Sequence, residues 1–215
     1  MRLSVKARVC LILAFVLCLM GCSVLAEGTY TVIATTYPLY DVAKNVCGDL
    51  ADVQYVPEKT DVDADIVLYV GTEADAWVED LEGAELVSAT YGVELIDDDT
   101  DVMTIPVNCM LCALNFAEAL DEIDPDNSAT YQDNASAYVD LMSELDMHIR
   151  EAVQEGMTIS CADGSMAYFA KEYGVTVADD GAVLSTYNYP TEEQQEISYA
   201  ELMHANLHAL AGTED

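Results

Sequence analysis

Apolar and polar residues alternate over residues 30–35, a β-rich stretch whose period of two predicts a first strand. Tyr37-Pro38 then turns the chain into a helix over about 39–47, and Gly48 stops it. Residues 53–56 read as a short second strand. Asp65-Ile66-Val67-Leu68-Tyr69-Val70 is almost continuously apolar up to Gly71, the pattern of a strand covered on both faces. A helix is predicted over 73–81, followed by short strands at 85–88 and 93–96. This alternation points to an α/β lobe with a mainly parallel sheet.

Asp124-Pro125 predicts the start of the longest helix, with Asp as cap and Pro in the first turn. Tyr131, Ala135, Tyr138, Met142, Leu145, Ile149 and Val153 recur at spacings of three and four, so one face must pack along a core. Such a helix is roughly 45 Å long at 1.5 Å per residue, enough to run across more than one lobe. After Gly156 the pattern resumes: a strand at 157–161, a helix at 165–173 ended by Gly174, a strand at 175–178, and a last helix over about 191–210. Two βα units are thin for an independent sheet.

The first residues have a different pattern. Arg2, Lys6 and Arg8 precede an apolar run over 9–20, the layout of a secretory signal peptide, and the run is too short to span a bilayer comfortably. Leu19-Met20-Gly21-Cys22 resembles the lipobox of bacterial lipoproteins. The resemblance implies that Cys22 becomes the lipidated first residue, leaving the folded part outside the cytoplasmic membrane and tethered to its surface. An uncleaved anchor, or an ordinary signal peptide with a chance Cys, is the plainer alternative.

Composition narrows the partners. The chain has 215 residues, with 40 Asp and Glu against 7 Lys and Arg. Beyond the leader only Lys44, Lys59, Arg150 and Lys171 remain basic, which excludes nucleic acid as a partner. Such a field attracts cations. The acidic residues are interleaved with apolar ones, so a core rather than disorder is expected. Cys47, Cys109, Cys112 and Cys161 follow the leader region. The Cys109-Met-Leu-Cys112 spacing suits redox chemistry or metal binding, but within an apolar helical stretch it also suits simple packing. His204 and His208, with Glu201 on the same helical face, have metal-ligand spacing, against the plainer reading of a surface near a loose end. Asp97-Asp98-Asp99 reads as a cation loop or a solvated turn, and Trp77 as packing. The motifs of nucleophile elbows, phosphate loops and zinc proteases are missing from the sequence.

Several segments in order resemble the metal-specific substrate-binding lipoproteins of zinc and manganese ABC transporters. They are Thr35-Thr36-Tyr37-Pro38-Leu39-Tyr40; Ala64-Asp65-Ile66-Val67-Leu68-Tyr69-Val70-Gly71 with Glu73 and Trp77; and Pro106-Val107-Asn108. They continue with Ile123-Asp124-Pro125 followed by Tyr131, Asn134 and Tyr138, and with Asp163-Gly164-Ser165-Met166-Ala167-Tyr168-Phe169-Ala170 followed by Tyr173-Gly174. The resemblance implies a two-lobed α/β fold like that of periplasmic binding proteins, with a long linking helix and a metal held between the lobes. Its implied divisions are a signal peptide at 1–21, a lipidated tether at 22–28, a first lobe at 29–123, the linking helix at 124–155 and a partial second lobe at 156–215.

The family's metal ligands are typically His, His, His or Glu, then Asp or Glu. Aligned here, the first His position falls on Asp63, in Asp61-Val62-Asp63, and the second on Asp101. The third falls on Asp163, and the fourth is expected beyond Asp215. Two readings stay open. The site is rebuilt from carboxylates, whose oxygens favour Mn²⁺, Mg²⁺ or Ca²⁺ over Zn²⁺. Alternatively the chain is a truncated relative without metal binding that acts as a surface adhesin or accessory protein. The resemblance implies a monomeric binding protein and no enzyme. Its cargo is a divalent cation of the manganese or zinc class, and its partners are an ABC permease and, through Cys22, the membrane.

Overall fold

The computed structural model describes residues 30–60, 63–96 and 99–212. Cys22 with the whole leader, and Asp61, Val62, Asp97 and Asp98, lie outside the described residues.

The first sheet has four parallel strands, β1 (Tyr30–Ala34), β2 (Ala51–Tyr55), β3 (Ile66–Tyr69) and β4 (Glu85–Ser88), in the order β2-β1-β3-β4. Val32, Ala34, Ile66 and Leu68 face the main core. Ile33 and Val67, one residue out of step, face a second cluster with Val56 and Val78. Both faces are therefore covered, which explains the unbroken apolar run of β3. Helix α1 (Tyr37–Cys47) carries Pro38 in its first turn and ends at Gly48, whose φ of 56° suits glycine. It starts two residues earlier than the sequence predicts.

The expected helix at 73–81 is a 3₁₀ helix, Glu73–Asp80. Asp75 departs from helical geometry, with φ −121°. Its carboxylate instead accepts the backbone N–H groups of Val70, Gly71 and Thr72 at 2.6, 3.1 and 3.0 Å. The expected strand at 93–96 joins neither sheet among the described residues. Val93 and Ile96 pack against the main core, the Ile96 N–H donates to Tyr168 Oη at 2.9 Å, and Glu94 pairs with Lys171 at 3.0 Å. The stretch straps the first lobe to the second.

Helices α2 (Pro106–Ile123) and α3 (Ser128–Ala152) lie along one another, and both touch α1. The apolar stripe of α3 is buried from Tyr131 to Ile149, while Val153 falls just past the helix end. With 25 residues, α3 is roughly 37 Å long. It starts later than expected because Pro125–Asn127 forms a 3₁₀ turn, and the Asp124 carboxylate accepts from Asn127 Nδ2 and Tyr131 Oη rather than capping the backbone. Cys109 and Cys112 are fully buried on α2 as free thiols in the core, which is a packing role.

The second sheet is parallel too, β5 (Thr158–Cys161), β6 (Thr176–Val177) and β7 (Ala182–Leu184), in the order β6-β5-β7. Between β5 and β6, helix α4 (Ala167–Tyr173) ends on left-handed Gly174. The last helix, α5 (Tyr199–Ala211), is shorter than expected and starts with a Ser198–Glu201 capping box. It packs on α3 and β7. One buried core includes Val32 and Ile66 of the first sheet, Ile159 and Leu184 of the second, and Leu210 of α5. Among the described residues no helix is long and apolar enough to cross a membrane.

Candidate cation cleft

In parallel sheets, binding crevices open at the carboxyl ends of the strands where the strand order reverses. In the first sheet that point lies between β1 and β3. In the second it is the central strand β5. Both carboxyl ends turn to one cleft. The Tyr37 N–H, just after β1, donates to the Asn188 carbonyl beyond β7 at 3.1 Å, and Tyr55 Oη donates to the same carbonyl at 2.9 Å.

Asp101 sits in this cleft with 9% of its surface exposed. One carboxylate oxygen accepts the Ser165 N–H at 2.5 Å, and the other accepts Asn188 Nδ2 at 2.7 Å. Both donors belong to the second lobe, so Asp101 ties the lobes together. Burial pushes its carboxyl pKa up. The two hydrogen bonds oppose that shift, and the charges of Asp99 and Asp163 add to it. Asp99 accepts from Ser165 Oγ.

Asp163 follows β5. It accepts the Thr186 N–H at 2.7 Å and Ser185 Oγ, and the Cys161 thiol lies 3.8 Å away. Between the two carboxylates runs Gly164. A Cβ there would meet Asp101 Oδ2 at 2.4 Å, so only glycine lets the turn approach this closely.

Asp63 does not join them. It is exposed and precedes β3, at the amino end of the strand. Four residues of strand set that end roughly 13 Å from the carboxyl edge that faces the cleft. Among the described residues, no three His, Cys, Asp or Glu side chains are gathered closely enough to share a metal. The three-carboxylate arrangement expected from the sequence thus reduces to two, Asp101 and Asp163.

Two cleft residues escaped the sequence reading. Asn188 reaches Asp101 from the loop after β7, where the resemblance looks instead for a ligand beyond Asp215. Tyr187 beside it has φ 53°, a left-handed conformation that costs about 1–3 kcal/mol in a non-glycine residue and that aims Asn188 across the cleft. The three-residue strand before it, Ala182–Leu184, is too short to mark the position in the sequence. Asp75 is the other, buried near the carboxyl end of β3. Thr35 Oγ1 donates to it at 2.8 Å besides the three backbone N–H groups, so its oxygens are occupied in holding β1 to the turn after β3.

The model of the periplasmic zinc-uptake complex component A family, ZnuA, matches residues 32–186. The chain belongs to this family. Among ZnuA relatives, the metal ABC transporter substrate-binding lipoprotein SsaB of Streptococcus sanguinis is 30% identical over 186 residues, 68% of this chain and 60% of its own length. The manganese ABC transporter substrate-binding lipoprotein PsaA of Streptococcus pneumoniae is 28% identical over 211 residues, 76% of this chain and 68% of its own. The match thus spans about three fifths to two thirds of these relatives. The crystal structure of the Zn(II)-bound ZnuA-like domain of AdcA from Streptococcus pneumoniae superposes with a TM-score of 0.76 at 20% identity, covering 86% of this chain and 99% of that one. At that identity the likeness establishes a shared fold.

Proposed function

We propose that this chain captures a divalent cation in the interlobe cleft and passes it to the permease of an ABC importer, as a monomer tethered outside the cell membrane by lipid on Cys22. One observation carries the reading: Asp101 from the first lobe and Asp163 from the second flank the same glycine turn, where the carboxyl ends of both sheets converge. ZnuA membership and relatives named as metal-transporter lipoproteins support it. Asp101, Asp163 and the Asn188 side-chain carbonyl offer only oxygen, a set that favours Mn²⁺ over Zn²⁺. A cation between the two carboxylates would also offset the burial and repulsion that raise the Asp101 pKa.

One feature favours a second reading, a relative that holds its lobes shut without cargo. Both Asp101 oxygens already accept hydrogen bonds from the opposite lobe. Thermal unfolding of the chelated chain in detergent, with Mn²⁺, Zn²⁺ and Ca²⁺ titrated separately, separates the two. A saturable rise in midpoint with Mn²⁺, lost in both Asp101→Asn and Asp163→Asn, is the result expected, because only a ligand of the folded form stabilises it. A flat response to all three ions with a cooperative transition intact would establish the second reading.

A further inference from the structure

The chain has three histidines, and all of them lie on α3 and α5: His148 on the first, His204 and His208 on the second. A groove of about 140 Å³ between these helices is lined by Leu141, Glu144, Leu145, His148, Ala200 and His204. Its floor is apolar, and its two imidazoles come from different helices. Glu144 and His148 are four residues apart and share one face of α3. His148 is half-buried, while His204 and Glu144 are exposed.

We propose that His148 and His204, which line this groove from opposite sides, form a two-imidazole cation site that takes a borderline transition metal such as Zn²⁺ or Cu²⁺ and clamps α3 to α5. Imidazole nitrogen is the ligand these ions prefer, whereas the oxygen-only cleft suits harder ions. The site is separate in place and in chemistry from the cleft and does not rest on the transport reading. Among the described residues no three potential ligands surround a single point, so the groove is not a ready-made cage. The imidazoles close on the ion by rotation about their own side-chain bonds, and water fills the remaining positions. Glu201 is left out of the ligand set. Its carboxylate accepts the Ser198 N–H at 3.0 Å and Ser198 Oγ at 2.8 Å, which caps α5.

The test is Zn²⁺ calorimetry on the chelated chain in detergent, with Asp101→Asn and Asp163→Asn in place to silence the cleft. One equivalent of Zn²⁺ is expected to bind, and His148→Gln or His204→Gln each to weaken it by about tenfold or more. Cu²⁺ electron paramagnetic resonance should show coupling to two imidazole nitrogens. Imidazole NMR on the unsubstituted chain supplies a second readout, since only three histidines contribute: Zn²⁺ should shift His148 and His204. Zn²⁺ binding that survives both histidine substitutions, or that vanishes when the cleft carboxylates are replaced, would overturn the proposal. So would NMR shifts absent from His148 and His204.

Discussion

The two sheets of this molecule share one topology and are held by different forces. The first has four strands, with Ile66, Val67 and Leu68 of β3 wholly buried. The second has three, one of them only two residues long, and leaves Val177 and Val183 exposed at 49% and 62%. Polar links to the first lobe make up part of that difference: Asp101 to Ser165 and Asn188, and Tyr168 to Ile96. A small sheet can thus keep its place through hydrogen bonds at its carboxyl end, and those bonds crowd the place where a ligand would bind.

The contrast breaks first at the first sheet. Leu68→Ala should cost about 2–5 kcal/mol, read as a fall in the urea midpoint, because the surrounding strands cannot collapse into the space left. A loss below about 1 kcal/mol would mean that burial does not hold this sheet. On the second sheet the counterpart is Gly164→Ala, whose Cβ would sit 2.4 Å from Asp101 Oδ2. The expected cost is about 1–3 kcal/mol, with a more open molecule by small-angle scattering. Unchanged dimensions and stability would show that the Asp101 latch bears no strain.

The seam between the lobes responds to pH. Asp41 on α1 is 5% exposed, accepts Tyr138 Oη of α3 at 2.9 Å and accepts the Tyr199 N–H of α5 at 3.2 Å. Burial raises its carboxyl pKa above the ordinary 3.8, and these hydrogen bonds oppose the rise. The folded chain then holds this proton more tightly than the unfolded one. Its stabilising contribution is complete below the unfolded value near 3.8 and is lost as pH climbs through the raised folded value. Denaturant midpoints should fall over that interval, and Asp41→Asn should flatten the fall. A fall of equal steepness in the variant would assign it to other carboxylates. The smallest effect belongs to Val183→Thr, within about 0.5 kcal/mol, since the side chain faces solvent. A larger loss would reveal packing that the open face of the second sheet does not show.

Elements with a strong local signature were legible in the sequence. The unbroken apolar run of β3, the stripe from Tyr131 to Ile149, and the stops at Gly48 and Gly174 all depend on near neighbours. Failures came where distant residues decide. Val93 and Ile96 have strand composition, yet their apolar side chains pack on the main core instead of entering a ladder. Strand β7, three residues long, offers too few positions for a period to register. Asp101 and Asp163 were read through the family resemblance, whereas Asn188 meets Asp101 across 87 residues of sequence and has no motif of its own. Asp63 was placed by aligning a motif, and the fold sets it at the opposite end of β3.

The shared core has a thermodynamic consequence. Val32 and Ile66 of one sheet and Ile159 and Leu184 of the other belong to the same buried cluster, and α1, α3 and α5 run through it. Neither sheet can then melt while the other keeps its packing. Scanning calorimetry should record one heat-absorption peak whose van't Hoff and calorimetric enthalpies agree, the mark of a single cooperative unit in a chain that looks like two.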